Sequence, residues 1–131
     1  HGTTFGGNPL AARAALAVVE TIETQGLAGR ASALGHRIRE ALRNGLQDHP
    51  GVVEIRGKGL MIGIEMQMPC PALVRTALEA GLLINVTAGR VIRLLPPLIL
   101  SDAEADLLVE RLLPLVHALA PDDDTARSTP A

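Results

Sequence analysis

Aromatic side chains are almost missing from this chain: 131 residues contain no tryptophan, no tyrosine and the single phenylalanine Phe5. Any core must therefore be assembled from leucine, isoleucine, valine and alanine, and the 47% hydrophobic content is sufficient for one domain of modest size. Cysteine is equally scarce. Cys70 stands alone, so no internal disulfide can form, which fits a reducing cytoplasm. No apolar run approaches the roughly 20 residues that a membrane-crossing helix needs. Charge of one sign is lacking too, with 12 basic and 14 acidic residues interspersed for a net charge of −2, and no basic stripe points to nucleic acid. Lysine occurs once, at Lys58. The sequence starts at His1 inside a motif, without an initiator methionine, signal peptide or basic leader.

What is present is concentrated at the beginning. His1-Gly2-Thr3-Thr4-Phe5-Gly6-Gly7-Asn8-Pro9 puts two adjacent hydroxyls, a glycine pair and an Asn-Pro helix start into one loop. Glycine lets backbone approach a ligand closely because no Cβ intervenes. Threonine hydroxyls donate hydrogen bonds to phosphate oxygens. Asn8 as N-cap and Pro9 at the first helical position open a helix whose free N–H groups favour anions. The loop is therefore able to hold a phosphate, although the same residues also suit an ordinary polar turn.

Alanine-rich sequence from Leu10 to Gln25 predicts a first helix, stopped at Gly26. Leu27, Ala31, Leu34, Ile38, Leu42 and Leu46 recur three or four apart and predict a second, with Arg30, Arg37, Arg39, Glu40 and Arg43 on a solvated face. Strands are expected over Val52–Arg56 and Leu60–Met66, joined by Gly57-Lys58-Gly59 with its glycines at positive φ. A short helix over Pro71–Ala80 leads to a second strand pair, 82–86 and 90–94, around Thr87-Ala88-Gly89. Ser101 and Glu104 form a capping box for a last helix that buries Ala105, Leu108, Leu112, Leu115, Val116 and Leu119 and is kinked at Pro114. From Pro121 onward a disordered tail is expected.

Arg93 lies in a strand otherwise made of Val91, Ile92, Leu94 and Leu95, where a charge needs a partner. Two readings stand on residues alone: a structural ion pair, or a guanidinium that holds a ligand carboxylate through two parallel hydrogen bonds. Arg90 falls in a turn and is expected to be solvated. Glu65 can pair with an arginine that the sequence does not identify. Lys58 between glycines is expected to be a surface turn residue. Gly57-Lys58-Gly59-Leu60-Met61-Ile62-Gly63 misses the dinucleotide fingerprint, because the third glycine is displaced and a strand follows. His36, His49 and His117 are far apart without metal spacing, so no metal site is expected. Cys70 has no nearby partner for nucleophilic catalysis and is expected to be inert.

The opening loop, together with Arg56-Gly57-Lys58-Gly59-Leu60, Gly81-Leu82-Leu83-Ile84-Asn85 and Val91-Ile92-Arg93-Leu94-Leu95-Pro96-Pro97-Leu98, resembles the class III aminotransferases, with acetylornithine aminotransferases nearest in motif order. The resemblance implies the C-terminal portion of a fold-type I enzyme, an α/β protein whose small domain is α+β. Residues 1–26 would be the phosphate loop and connecting helix from the large domain, residues 27–120 the small domain, and residues 121–131 the tail. It also implies pyridoxal 5'-phosphate as cofactor and a cytoplasmic homodimer acting on amino-acid and keto-acid substrates, with no nucleic-acid or membrane partner. Thr4 would bind the cofactor phosphate of the neighbouring subunit, Thr3 would lie beside cofactor and substrate, and Arg93 would clamp the substrate carboxylate. No catalytic residue would lie in this segment, because the lysine and the acidic residue that hold the cofactor belong upstream. The reaction implied is transfer of an amino group from N-acetylornithine to 2-oxoglutarate, with ornithine, succinylornithine and 4-aminobutyrate as alternative donors. By itself the segment would be a non-catalytic module for folding or subunit contact.

Overall fold

In a computed structural model, residues 2–119 are described. Two helices, α1 (Pro9–Thr24) and α2 (Leu27–Leu46), precede the hairpin β1 (Val52–Lys58) and β2 (Met61–Met66). A short helix α3 (Leu73–Glu79) leads to β3 (Asn85–Thr87) and β4 (Val91–Leu94), and α4 (Asp102–His117) follows. The four strands form one sheet in the order β1-β2-β4-β3, with every neighbouring pair antiparallel. Helices beside an antiparallel sheet make this part of the chain α+β.

One face of the sheet carries Ile62, Ile64, Ile92 and Leu94, all at most 3% exposed. Against it lies the α2 stripe Ala31, Leu34, Ile38, Leu42 and Leu46, joined by Ala105, Leu112 and Val116 of α4. Each fully buried aliphatic side chain contributes roughly 1.5–3 kcal/mol relative to exposure. Helical spacing in the sequence identified the apolar side chains of this α2 face, and the structure adds buried Gly35 to it. On α4 the expected face is buried at Ala105, Leu112 and Val116 and partly buried at Leu108 and Leu115, while Leu119, also partly buried, lies beyond the helix end at His117. Its capping box is present: Ser101 Oγ accepts from Glu104 N, and Glu104 Oε2 accepts from Ser101 N at 2.8 Å. The helix runs on through Pro114.

α1 is different. Asn8 Oδ1 caps it by accepting from Ala11 N at 3.0 Å, with Pro9 in the first turn. Yet every residue from 2 to 21 is exposed, and among the described helices and strands α1 packs against α2 alone, with Leu98 and Ile99 nearby.

Four expectations need correction. β1 continues through Gly57 and Lys58, and the hairpin turns at Gly59 and Leu60, with positive φ at Gly59 but not at Gly57. β3 begins only at Asn85, because Leu82 N is captured by Ala77 O at 2.8 Å, closing the end of α3 instead of starting a strand. The arginines of α2 are not simply solvated. Arg30 donates to Asp102 (2.9 Å) and Leu100 O (2.6 Å), Arg37 pairs with Asp102 and Asp106, and Arg39 and Arg43 donate to Gly59 O (3.0 Å) and Ile55 O (2.9 Å). They tie α2 to α4 and to the hairpin, each half-exposed pair adding little on its own. Finally, His49 and His117 are remote in sequence but adjacent in space, their ring centroids 5.5 Å apart. The tail 121–131 lies outside the described residues.

Close approach of α2 to the first hairpin depends on Gly35, where a Cβ would run into the carbonyl oxygen of Gly59. Gly35→Ala is therefore expected to lower stability by about 2 kcal/mol or more. Gly29→Ala, whose Cβ would meet nothing within 4 Å, should be neutral to stabilising by up to about 1 kcal/mol. Urea midpoints of the two variants check this.

Candidate functional site

The outer face of the sheet holds the charged residues, and its rows follow from register. Arg56 on β1 stands opposite Gly63 on β2, Gly63 opposite Arg93 on β4, and Arg93 opposite Asn85 on β3. Two residues along runs a second row: Glu54, Glu65, Val91 and Thr87. Side chains alternate along a strand, so burying Ile92 and Leu94 turns Arg93 outward.

Glu54 and Glu65 face each other directly across β1 and β2, a destabilising placement for like charges. Arg56 resolves it by donating from Nη1 to Glu54 (2.8 Å) and Glu65 (2.6 Å). Arg90 donates from Nη2 to the other Glu65 oxygen at 2.8 Å. Glu65 thus accepts from two guanidinium groups and is only 19% exposed, while Arg56 and Arg90 are about half exposed. The hydrogen bond from Arg56 is the main influence holding the Glu65 carboxyl below its usual range, opposed by partial desolvation and aided by the charges of Arg56 and Arg90. Arg90 is consequently an ion-pair partner rather than a solvated turn residue.

Arg93 is exposed, and among the described residues no hydrogen bond or ion pair engages its guanidinium. It lines a cleft of about 300 Å³ together with Arg56, Lys58, Met61, Gly63 and Thr87. Gly63 removes the side chain that would stand between Arg56 and Arg93. Lys58 is exposed, as expected, although it ends a strand rather than occupying the turn.

The second group of sequence-selected residues is elsewhere. Thr3 and Thr4 are exposed in the turn before α1, and neither lines the Arg93 cleft. Among the described residues their hydroxyls make no hydrogen bond, while Asn8 holds the turn by donating from Nδ2 to Phe5 O at 2.7 Å. Gly7, at φ 76°, completes the turn. The two hydroxyls are thus free beside a capped helix start. Within one chain the structure does not bring Thr3 and Thr4 together with Arg93.

Elsewhere, Cys70 is 3% exposed and burial pushes its thiol up, away from the reactive thiolate. Among the described residues no group of three or more His, Cys, Asp and Glu could hold a metal ion. No described helix is long and apolar enough to cross a membrane.

The arrangement is one free guanidinium on a sheet, an adjacent neutralised charge cluster and a separate hydroxyl loop, and its sequence has clear relatives. The family model described as aminotransferase class-III matches residues 1–116, and the chain belongs to that family. Acetylornithine aminotransferase 1 of Bordetella pertussis is 58% identical over 116 residues, covering 88% of this chain and 30% of that protein. Acetylornithine aminotransferase of Nitrosomonas europaea is 46% identical over the same shares. Among solved structures, ornithine aminotransferase from Toxoplasma gondii superposes with a TM-score of 0.83 at 37% identity, covering 90% of this chain and 29% of that one. Acetylornithine aminotransferase from Elizabethkingia anophelis gives 0.80 at 32% identity, covering 88% and 32%. The chain spans about 30% of the length of the curated relatives it matches.

Sequence reasoning selected Arg93 and expected Glu65 to meet an arginine, but it did not identify Arg56 and Arg90 as the partners. Counting alternate residues outward from the two hairpin turns would have placed Arg56, Glu65 and Arg93 on one face. The contact from Arg90, in the turn itself, follows no such count.

The sign of the pH effect follows from the lowered Glu65 value. Its contribution is fully present above the ordinary glutamate range and is lost as pH falls through the lower folded value. Glu65→Gln is therefore expected to flatten the loss of stability on acidification below about pH 4, measured by thermal melting across that range.

Proposed function

We propose that this chain is the C-terminal part of a pyridoxal 5'-phosphate-dependent aminotransferase that moves an amino group from N-acetylornithine to 2-oxoglutarate in arginine biosynthesis. The observation that carries the reading is the unengaged Arg93 guanidinium, outward on the sheet of a chain that shares 58% identity with an acetylornithine aminotransferase. Arg93 binds the carboxylate of the amino-acid or keto-acid substrate through its two parallel donors, a geometry lysine does not reproduce. That contact orients the substrate rather than moving protons, so no residue of this segment is catalytic. Ornithine is the alternative donor that the structural neighbours favour. Succinylornithine and 4-aminobutyrate are further alternatives within the family.

The opening loop fits the phosphate end of the cofactor. Thr4 offers a free hydroxyl, Thr3 offers another beside cofactor and substrate, and a Cβ at Gly2 or Gly7 would meet nothing within 4 Å, leaving the backbone approachable. When bound, pyridoxal phosphate supplies the electron sink that lets an amino group pass between carbon skeletons. Lys58 belongs to the Arg93 cleft and not to the threonine loop, which supports placing the cofactor's lysine outside this segment. The separation of loop and cleft within one chain supports a homodimer in which Thr4 serves the neighbouring subunit. In this reading residues 1–26 link to a large domain, residues 27–120 form the small domain, and the enzyme works in the cytoplasm.

In the complete enzyme, Arg93→Ala should lower kcat/KM by about 30- to 100-fold, mainly through substrate KM, because a charge-assisted pair is lost. Its bound cofactor should be unchanged. Thr4→Ala should do the reverse, lowering the cofactor retained after dialysis. Unchanged kinetics for the first variant, or normal retention for the second, would remove that residue from its role. By itself the 131-residue chain is expected to be a non-catalytic module. Added cofactor should give it no lysine-linked visible absorption, and sedimentation should show self-association through the exposed Phe5, Leu10, Leu16, Val18 and Val19.

A further inference from the structure

Arg93 sits within reach of a carboxylate that does not bind it. Gly63 is the cross-strand partner of Arg93, and Glu65 lies two residues further along the same strand on the same face. Such diagonal neighbours are roughly 7–8 Å apart at the backbone, close enough for a glutamate and an arginine to meet. Glu65 is nevertheless committed elsewhere. One of its oxygens accepts from Arg56 at 2.6 Å and the other from Arg90 at 2.8 Å. These two arginines approach from opposite sides, Arg56 from β1 and Arg90 from the turn that precedes β4.

We infer that Arg56 and Arg90 are positioning residues that hold Glu65 away from Arg93, so that Arg93 remains free for the substrate carboxylate. The inference rests on the proposed role of Arg93. Without the two restraints, Glu65 is the nearest anion on the face and competes with substrate for the same guanidinium. Two features of the cluster serve this arrangement. Glu54 engages Arg56 at 2.8 Å and so ties it into the cluster beside Glu65. Gly63 supplies no side chain that would separate Glu65 from Arg93 once Glu65 was released. The two glutamates and two arginines sum to zero charge, so Arg93 and Lys58 carry the net positive charge of the cleft.

The test is double-variant kinetics on the complete holoenzyme, with calorimetric binding of glutarate as a substrate-like carboxylate. Arg56→Gln should raise both the keto-acid KM and the glutarate dissociation constant about fivefold, the scale of one competing ion pair of this exposure. It should leave kcat nearly unchanged. Adding Glu65→Gln to it should bring both constants back toward wild type, because the competitor is gone. Arg90→Gln, with and without Glu65→Gln, should repeat the pattern and guards against misfolding of the first variant. A purely structural role predicts the opposite for the pair, since removing a second member of the cluster would add damage. Failure of Glu65→Gln to restore binding, or unchanged constants in both single variants, overturns the inference. Arg93→Ala measured alongside separates the two readings: if it leaves KM and glutarate binding intact, the role of Arg93 itself falls.

Discussion

Period-two alternation over β2 and β4 is the constraint from which the rest of the molecule follows. Ile62, Ile64, Ile92 and Leu94 must all face the α2 stripe, because they are the large apolar side chains that the two central strands offer to the core. Turning those four inward turns Gly63, Glu65, Val91 and Arg93 outward, with no further choice. A slip of β4 by one residue would carry Arg93 into the core and expose Ile92 and Leu94, exchanging roughly 1.5–3 kcal/mol per buried side chain for an unpaired buried charge. The direction of Arg93 is thus set by its apolar neighbours and not by any partner of its own. That is a robust way to present a cation, since nothing must be broken before a ligand arrives.

The same logic explains why the cluster beside it is neutral. Register places Glu54 opposite Glu65, and an unrelieved pair of carboxylates there would weaken the hairpin. Arg56 and Arg90 relieve it, so fold stability and the character of the cleft draw on the same ion pairs. The run from Glu54 to Glu65, with Arg90 reaching over from the second hairpin, therefore carries both the first hairpin and the electrostatics around it.

Much of this was legible in the sequence wherever the signal was local. The α2 stripe, the Asn8-Pro9 helix start and the Ser101–Glu104 box need only residues within a few positions of one another, and all are present. Strand ends were less legible. Leu82, Leu83 and Ile84 have strand composition, but the end of α3 takes the Leu82 amide, a competition that propensity does not register. Long-range pairing was illegible. Arg30 and Arg37 look like a solvated face until α4 brings Asp102 and Asp106 beside them. His49 and His117 look unrelated until the ends of α2 and α4 meet. The family motifs pointed to Arg93 and the threonines, while the restraint on Glu65 required the register of three strands and the reach of a turn residue.

The solitary attachment of α1 has a mechanical consequence. Its 16 residues span about 24 Å, with α2 at one end and the threonine turn at the other. A tilt of about ten degrees at the attached end would sweep the free end through about 4 Å, an order of magnitude more than a hydrogen bond to a phosphate tolerates. Leverage of that kind cannot be tuned from its fulcrum. The aim of the hydroxyls must be trued along the shaft, by whatever surface the exposed side of the helix lies against.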